Sequence, residues 1–231
     1  MLLSLSISYS DTCPVYPTPM MESFTILCIG DSHTAGFPHY DPLMGGNPES
    51  SYQFWLKKEL SRINPESNYS LINEGICGDT SQGIVMRLLS ALKAGTYHLV
   101  ILAGGTNDLG MIDEEQVFAN LRQGFDACRN HSIPLIASSI PPISLAAYVP
   151  GVIALNSKIK AYAERCLGLF FADWFGALQD ERGFLADRYD SGDGVHLSVA
   201  GYTCIGLLLA PLVLQKINEN RRVTFEPLPF S

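Results

Sequence analysis

Four short segments of this 231-residue chain place small residues beside groups that can do acyl-transfer chemistry. They are Gly30-Asp31-Ser32-His33, the run 73–79 (NEGICGD), Gly104-Gly105-Thr106-Asn107-Asp108, and Asp193-Gly194-Val195-His196. Together they hold a hydroxyl, an imidazole, carboxylates and an amide. A hydroxyl is a weak nucleophile until a base takes its proton. His196 is the best candidate base among five histidines. Asp193, three residues earlier, can curl back onto the other ring nitrogen, fix its tautomer and stabilise the imidazolium. A tetrahedral intermediate then needs hydrogen-bond donors. The backbone N–H groups of Ser32 and Gly78 and the side-chain amide of Asn107 are candidates, and glycine permits close backbone approach. Taken singly, each segment also reads as an ordinary turn or helix cap; their joint occurrence carries the chemical reading.

The elements that must position these groups follow from hydrophobic periodicity. Residues 24–29 (FTILCI) form a short apolar run ending in Gly-Asp, the pattern of a buried parallel strand. Runs 69–73, 98–103, 133–138 and 169–172 read as four more strands. Helical spacing runs through 51–63, 79–94, 114–130, 152–167 and 198–219. Asp79 is the expected N-cap of the second helix, with Gln82 completing a capping box. Ser198 is the expected cap of the last, with an interruption near Pro211. Strands alternating with helices imply a five-stranded parallel sheet covered on both faces, a three-layer α/β/α sandwich. With no internal repeat or linker, residues 23–219 read as one domain, after a flexible leader (1–22) and before an extended tail (220–231). Ligands bind such sheets beyond the C-terminal strand ends. Three of the four segments directly follow strands.

Composition narrows the partners. Hydrophobic residues make up 47% and charged residues 16%, so wholesale disorder is excluded. The net charge is −8, no Lys or Arg precedes Lys57, and the adjacent basic pairs are Lys57-Lys58 and Arg221-Arg222. A nucleic-acid binder shows a basic footprint, so nucleic acid and anionic membrane surfaces are poor partners. The longest apolar run, near 204–214, is too short to span a bilayer, and no transmembrane segment is expected. The six cysteines are scattered, without CxxC or zinc spacing, and read mostly as buried free thiols. Residues 1–10 lack the basic start of a secretory signal. A cytoplasmic location is therefore expected; nothing sets an oligomeric state.

The four segments resemble the four blocks of the SGNH (GDSL-like) hydrolase family. Gly30-Asp31-Ser32 is similar to the nucleophile block, with His33 where Leu is usual. Gly78 in NEGICGDTS is similar to the glycine block and Asn107 in GGTND to the asparagine block. DGVH is similar to the Asp-x-x-His block, with Leu197 where many members have Pro, and SVAGY follows as the family's last helix often begins. The resemblance spans about residues 24–215, and GDTSQG brings it nearest the bacterial thioesterase/lysophospholipase branch. It implies a flavodoxin-like SGNH fold and a serine ester hydrolase that needs no cofactor or metal. Its substrate would be a small-molecule carboxylic ester (acyl, thio- or aryl), cleaved through a covalent acyl-enzyme. Ser32 would be nucleophile, His196 base and Asp193 its orienter, with Ser32 N–H, Gly78 and Asn107 as the oxyanion hole. The absence of G-x-S-x-G argues against a lipase-type α/β-hydrolase.

Other readings are weaker. Carbohydrate acetylesterases share this fold. A metal-dependent phosphoesterase has Asp-x-His followed by Gly-Asp-x-x-Asp, but position 82 is Gln and the later histidine motifs are missing. A catalytically silent binding domain would not need all five catalytic parts. For the substrate, the expected walls are residues 37–47, 109–112 and 141–150, the last resembling a mobile lid. Met111, Ile112, Leu145 and Tyr148 are the expected substrate contacts. His33 is expected as a rim or substrate-contact residue, and Asp31 as backbone support for the turn.

Overall fold

A computed structural model describes residues 21–225, with side chains through Glu219. Chain order is β1 (Glu22–Gly30), α1 (Ser32–Ala35), β2 (Tyr40–Asp41), β3 (Gly45–Gly46), α2 (Tyr52–Ile63), β4 (Ser67–Gly75) and α3 (Ser81–Ala94). Then follow β5 (Leu99–Leu102), α4 (Glu114–Asn130), β6 (Leu135–Ser138), α5 (Val149–Ala163), β7 (Leu169–Ala172), α6 (Trp174–Leu178) and α7 (Val199–Phe225). Five strands form one parallel sheet in the order β4-β1-β5-β6-β7. That is the doubly wound, flavodoxin-like order, and it reverses direction between β1 and β5. The short strands β2 and β3 form a separate antiparallel pair.

Both sheet faces are buried, as parallel strands require. Along β1, Ile26 and Cys28 face one core with Tyr52, Leu56 and Leu60 of α2 and Tyr202, Ile205, Leu209 and Val213 of α7. Leu27 and Ile29 face the other, with Ile84 and Leu88 of α3, Leu121 and Phe125 of α4 and Leu155 and Ile159 of α5. This period-2 split makes the α/β/α sandwich. At the α2–α7 contact Gly206 has no room for a side chain: a Cβ would lie 2.5 Å from Trp55 Cβ and 2.8 Å from Leu56 N.

Several expected boundaries shift. β1 begins at Glu22, inside the expected leader; residues 1–20, with Cys13, lie outside the described residues. α3 is capped by Thr80, not Asp79, because the Asp79 carboxylate is drawn away to Arg87. α5 starts earlier than expected, with Pro150 in its first turn, where a missing N–H costs nothing. α7 runs through Pro211 without interruption. Both Pro211 and Leu207, whose carbonyl loses its helical partner, are exposed, so water can take the bond. α7 also continues to Phe225, where an extended tail was expected; residues 226–231 lie outside the described residues. Its stretch Val199–Glu219 is long and apolar enough to cross a membrane by length and composition, unlike the shorter run read from sequence. Half of that helix is buried in the protein, against α2 and the sheet. Cys28 and Cys128 are buried, their thiols pushed up to about 12 by desolvation, but Cys77 is exposed.

Candidate active site

The turn after β1 is built by short-range bonds. Asp31 caps α1, its Oδ1 accepting the His33 N–H at 3.0 Å. Gly30 is obligatory: a Cβ there would meet Thr34 Oγ1 at 2.2 Å and the Ala103 carbonyl at 2.4 Å. Ser32 opens α1, so its N–H belongs to the first turn and has no helical carbonyl to bond.

The loop before α7 brings the candidate base. Asp193 Oδ1 accepts the N–H groups of Val195 (2.9 Å) and His196 (2.8 Å), which curls the loop back on itself. His196 Nδ1 then donates to Asp193 Oδ2 at 2.6 Å, leaving Nε2 to accept from Ser32 Oγ at 3.1 Å. Partial burial would raise the Asp193 pKa. The backbone N–H and ring of His196 and the N–H of Val195 outweigh that and hold it at about 2. The Phe37 ring meets the His196 ring edge-on, centroids 4.5 Å apart. The expected nucleophile, base and orienter therefore form one hydrogen-bonded line.

The two remaining segments lock to each other. Asn107 Nδ2 donates to the Asp79 carbonyl at 2.9 Å, which sets the amide beside the Gly78 turn. Gly78 has φ 78°, in the left-handed region, and open space where a Cβ would stand; the turn itself calls for glycine. Asp108 accepts Ser81 N–H at 2.8 Å and Ser81 Oγ–H at 2.7 Å, tying the Asn107 turn to the start of α3. Burial raises the Asp108 pKa, the two Ser81 bonds oppose it, and the Asp31 and Asp79 charges add to the rise.

Arg87 is a positioning group that the sequence reading passed over. From α3 it donates to the Asp79 carboxylate through Nε (2.9 Å) and Nη2 (2.7 Å), to the Glu74 carbonyl (2.6 Å) and to the Gly30 carbonyl (2.9 Å). One guanidinium thus joins the ends of β1 and β4 to the Gly78–Asp79 turn. Gly83 leaves space for that carboxylate, since a Cβ would sit 2.0 Å from Asp79 Oδ1. The available signal was a lone arginine between Met86 and Leu88, eight residues after Asp79.

Beside Asn107 lies a cleft of about 220 Å3, walled by Thr106, Leu109, Ile143, Leu145, Tyr148 and Val195. Leu145 and Tyr148 stand where substrate contacts were expected. Met111 and Ile112 do not line it. The chain curls back so that the Asp108 carbonyl accepts both their N–H groups, and both residues are exposed. In the expected lid, Pro141, Pro142 and Ile143 are buried and Ser144 N–H donates to the Gly194 carbonyl at 2.7 Å, while residues 144–148 are exposed. His33 is neither at the rim nor among the residues that wall this cleft. It is 1% exposed, because both its ring nitrogens have partners inside the protein, Asp31 and the Val195 carbonyl. A larger hollow, about 290 Å3, lies at the opposite strand ends beside Arg129, Ser132, Leu167 and Lys216, away from these groups.

Comparisons with known proteins agree with this geometry. The model of the GDSL-like Lipase/Acylhydrolase family matches residues 28–204. The chain is 25% identical to Esterase TesA of Pseudomonas aeruginosa over 187 residues, covering 79% of this chain and 84% of that protein. Among solved structures, a G-D-S-L family lipolytic protein from Desulfitobacterium hafniense superposes with TM-score 0.69 at 18% identity, covering 82% of this chain and 99% of that one. A carbohydrate esterase of family 3 from Talaromyces cellulolyticus gives 0.65 at 18% identity, covering 85% and 99%. The family match runs from Cys28 in β1 to Cys204 near the start of α7, well over half of the chain, and with it the chain belongs to the GDSL-like lipase/acylhydrolase family, as a carboxylic ester hydrolase.

Proposed function

We propose that this hydrolase cleaves uncharged acyl or aryl esters through a covalent acyl-enzyme on Ser32. The observation that carries the reading is the line Asp193–His196–Ser32, with contacts of 2.6 and 3.1 Å. His196 takes the Ser32 proton as Oγ attacks the ester carbonyl, and Asp193 steadies the imidazolium that results. The oxyanion is met by the N–H groups of Ser32 and Gly78 and by the Asn107 amide, each such donor being worth about 10²–10³ in rate. The imidazolium returns its proton to the leaving alcohol or thiol, and water then repeats the sequence on the acyl-enzyme.

The substrate class is argued from the surroundings. The cleft walls are mainly apolar. The loops around the strand ends, residues 31–51, 73–80, 104–115, 139–150 and 190–197, contain no Lys or Arg. An acyl or aryl group suits such walls, and an anionic leaving group does not suit such loops.

A fluorophosphonate probe should label Ser32 in the folded protein, and Ser32→Ala should abolish both labelling and most turnover, by several orders of magnitude. Folded protein that resists labelling would overturn the assignment. Across a chain-length series of p-nitrophenyl esters, with acetylated xylan alongside, the aryl esters should be the better substrates; preference for the xylan would shift the reading to carbohydrate deacetylation.

A further inference from the structure

His33 sits next to the nucleophile, is buried, and has no part in the chemistry described above. Its Nε2 lies 2.9 Å from the Val195 carbonyl. A carbonyl only accepts, so Nε2 carries a proton. Its Nδ1 lies 3.2 Å from Asp31 Oδ1, which already accepts the His33 backbone N–H. A carboxylate there also accepts, so Nδ1 carries the second proton. Burial alone would push the ring toward its neutral form. The hydrogen bond and charge of Asp31, the Val195 carbonyl and the more distant Asp193 outweigh it and hold its pKa above the ordinary histidine value.

The two loops therefore meet in adjacent pairs: Ser32 bonds His196, and His33 bonds Val195. The rings of His33 and His196 are 5.5 Å apart, tilted by 31°. We propose that His33 is a positioning residue, a buried imidazolium paired with Asp31 that grips the Val195 carbonyl and so keeps the His196 ring on the Ser32 hydroxyl. Leucine, usual at this position in the family, has no donor for that carbonyl. The other charge acting on the His33 ring is Asp193 on the facing loop, while Asp108 feels the Asp31 carboxylate and Arg87, with Asp79 and Glu74, stands beyond the Gly30 carbonyl. Behind the turn, burial keeps the Cys28 thiol and the Tyr52 phenol neutral. The inference rests on His196 being the base proposed above.

The test pairs His33→Leu with His33→Gln on a p-nitrophenyl ester, with Ser32→Ala as the control that reports on the base–nucleophile reading itself. His33→Leu should lower kcat roughly ten- to a hundredfold with little change in KM, because the base loses its setting rather than the substrate its pocket. His33→Gln keeps a donor near the Nε2 position and should recover most of kcat. If kcat of both variants matches wild type, or if His33→Gln loses as much kcat as His33→Leu in step with its denaturation midpoint, the proposal is overturned. Should His33→Leu fail to fold, nitrogen-15 spectra of the wild-type protein decide. Two protonated His33 nitrogens across the pH range in which activity rises support the proposal, and a neutral ring overturns it.

Discussion

Asp193 shows how one residue can do two jobs through its two oxygens. Oδ1 folds the loop by taking two backbone N–H groups, and Oδ2 orients the His196 ring. Only the anion can do both. Because its folded pKa is held at about 2, below the ordinary carboxylate value of about 3.9, the contribution is complete above that ordinary value. It is lost as pH falls through about 2. Asp193 therefore stays ionised across the working range, and the acid limb of wild-type kcat/KM should follow a single proton, that of the base. Asp193→Asn should lower kcat, but by less than Ser32→Ala, since the nucleophile and base remain; steady-state kinetics on one ester compares them. An equal loss in both would give the carboxylate a larger share than orientation.

At the scale of elements, the site depends on how strand ends are tied to helices. Arg87 reaches three elements at once with a planar fork of donors, a geometry that lysine's single ammonium cannot copy. Arg87→Lys should fold, yet lose about tenfold in kcat as the Gly78–Asp79 turn drifts from the Ser32 turn. Circular dichroism and kinetics on the same sample check this, and unchanged kcat would show that the tie is dispensable. The α2–α7 contact makes a different demand. Gly206→Ala forces a methyl between Trp55 and Leu56 and should destabilise the protein by about 1–3 kcal/mol. Urea unfolding would read that loss, while activity per folded molecule stays near wild type, because the contact lies behind the sheet rather than at the strand ends.

For the whole molecule, the net charge of −8 and the lack of Lys and Arg in the loops around the site act together. A coenzyme A thioester is polyanionic, so the protein's field should slow its capture, and added salt should screen that field. Its kcat/KM should rise with ionic strength, whereas that of a neutral ester with the same acyl group should stay flat. Equal salt responses would remove charge from the account of selectivity.

The pattern of apolar runs determined the parallel sheet and its helical layers, because buried parallel strands and amphipathic helices leave periods of 2 and 3.6 in the sequence. The candidates Ser32, Gly78, Asn107, Asp193 and His196 could be singled out too, since each sits in a short motif with its own turn chemistry. Boundaries were less so: the Asp79 cap lost to a long-range partner, and Pro211 was tolerated because its side of α7 faces water. His33 and Arg87 were out of reach. Their partners lie 162 residues away at Val195 and 57 residues away at Gly30. Only the folded chain brings such groups together, because a buried polar side chain takes its role from what closes around it. Met111 and Ile112 show the converse, apolar residues near the site in sequence that a turn sends into solvent. Local spacing determined which groups could react, and tertiary packing decided which groups hold them.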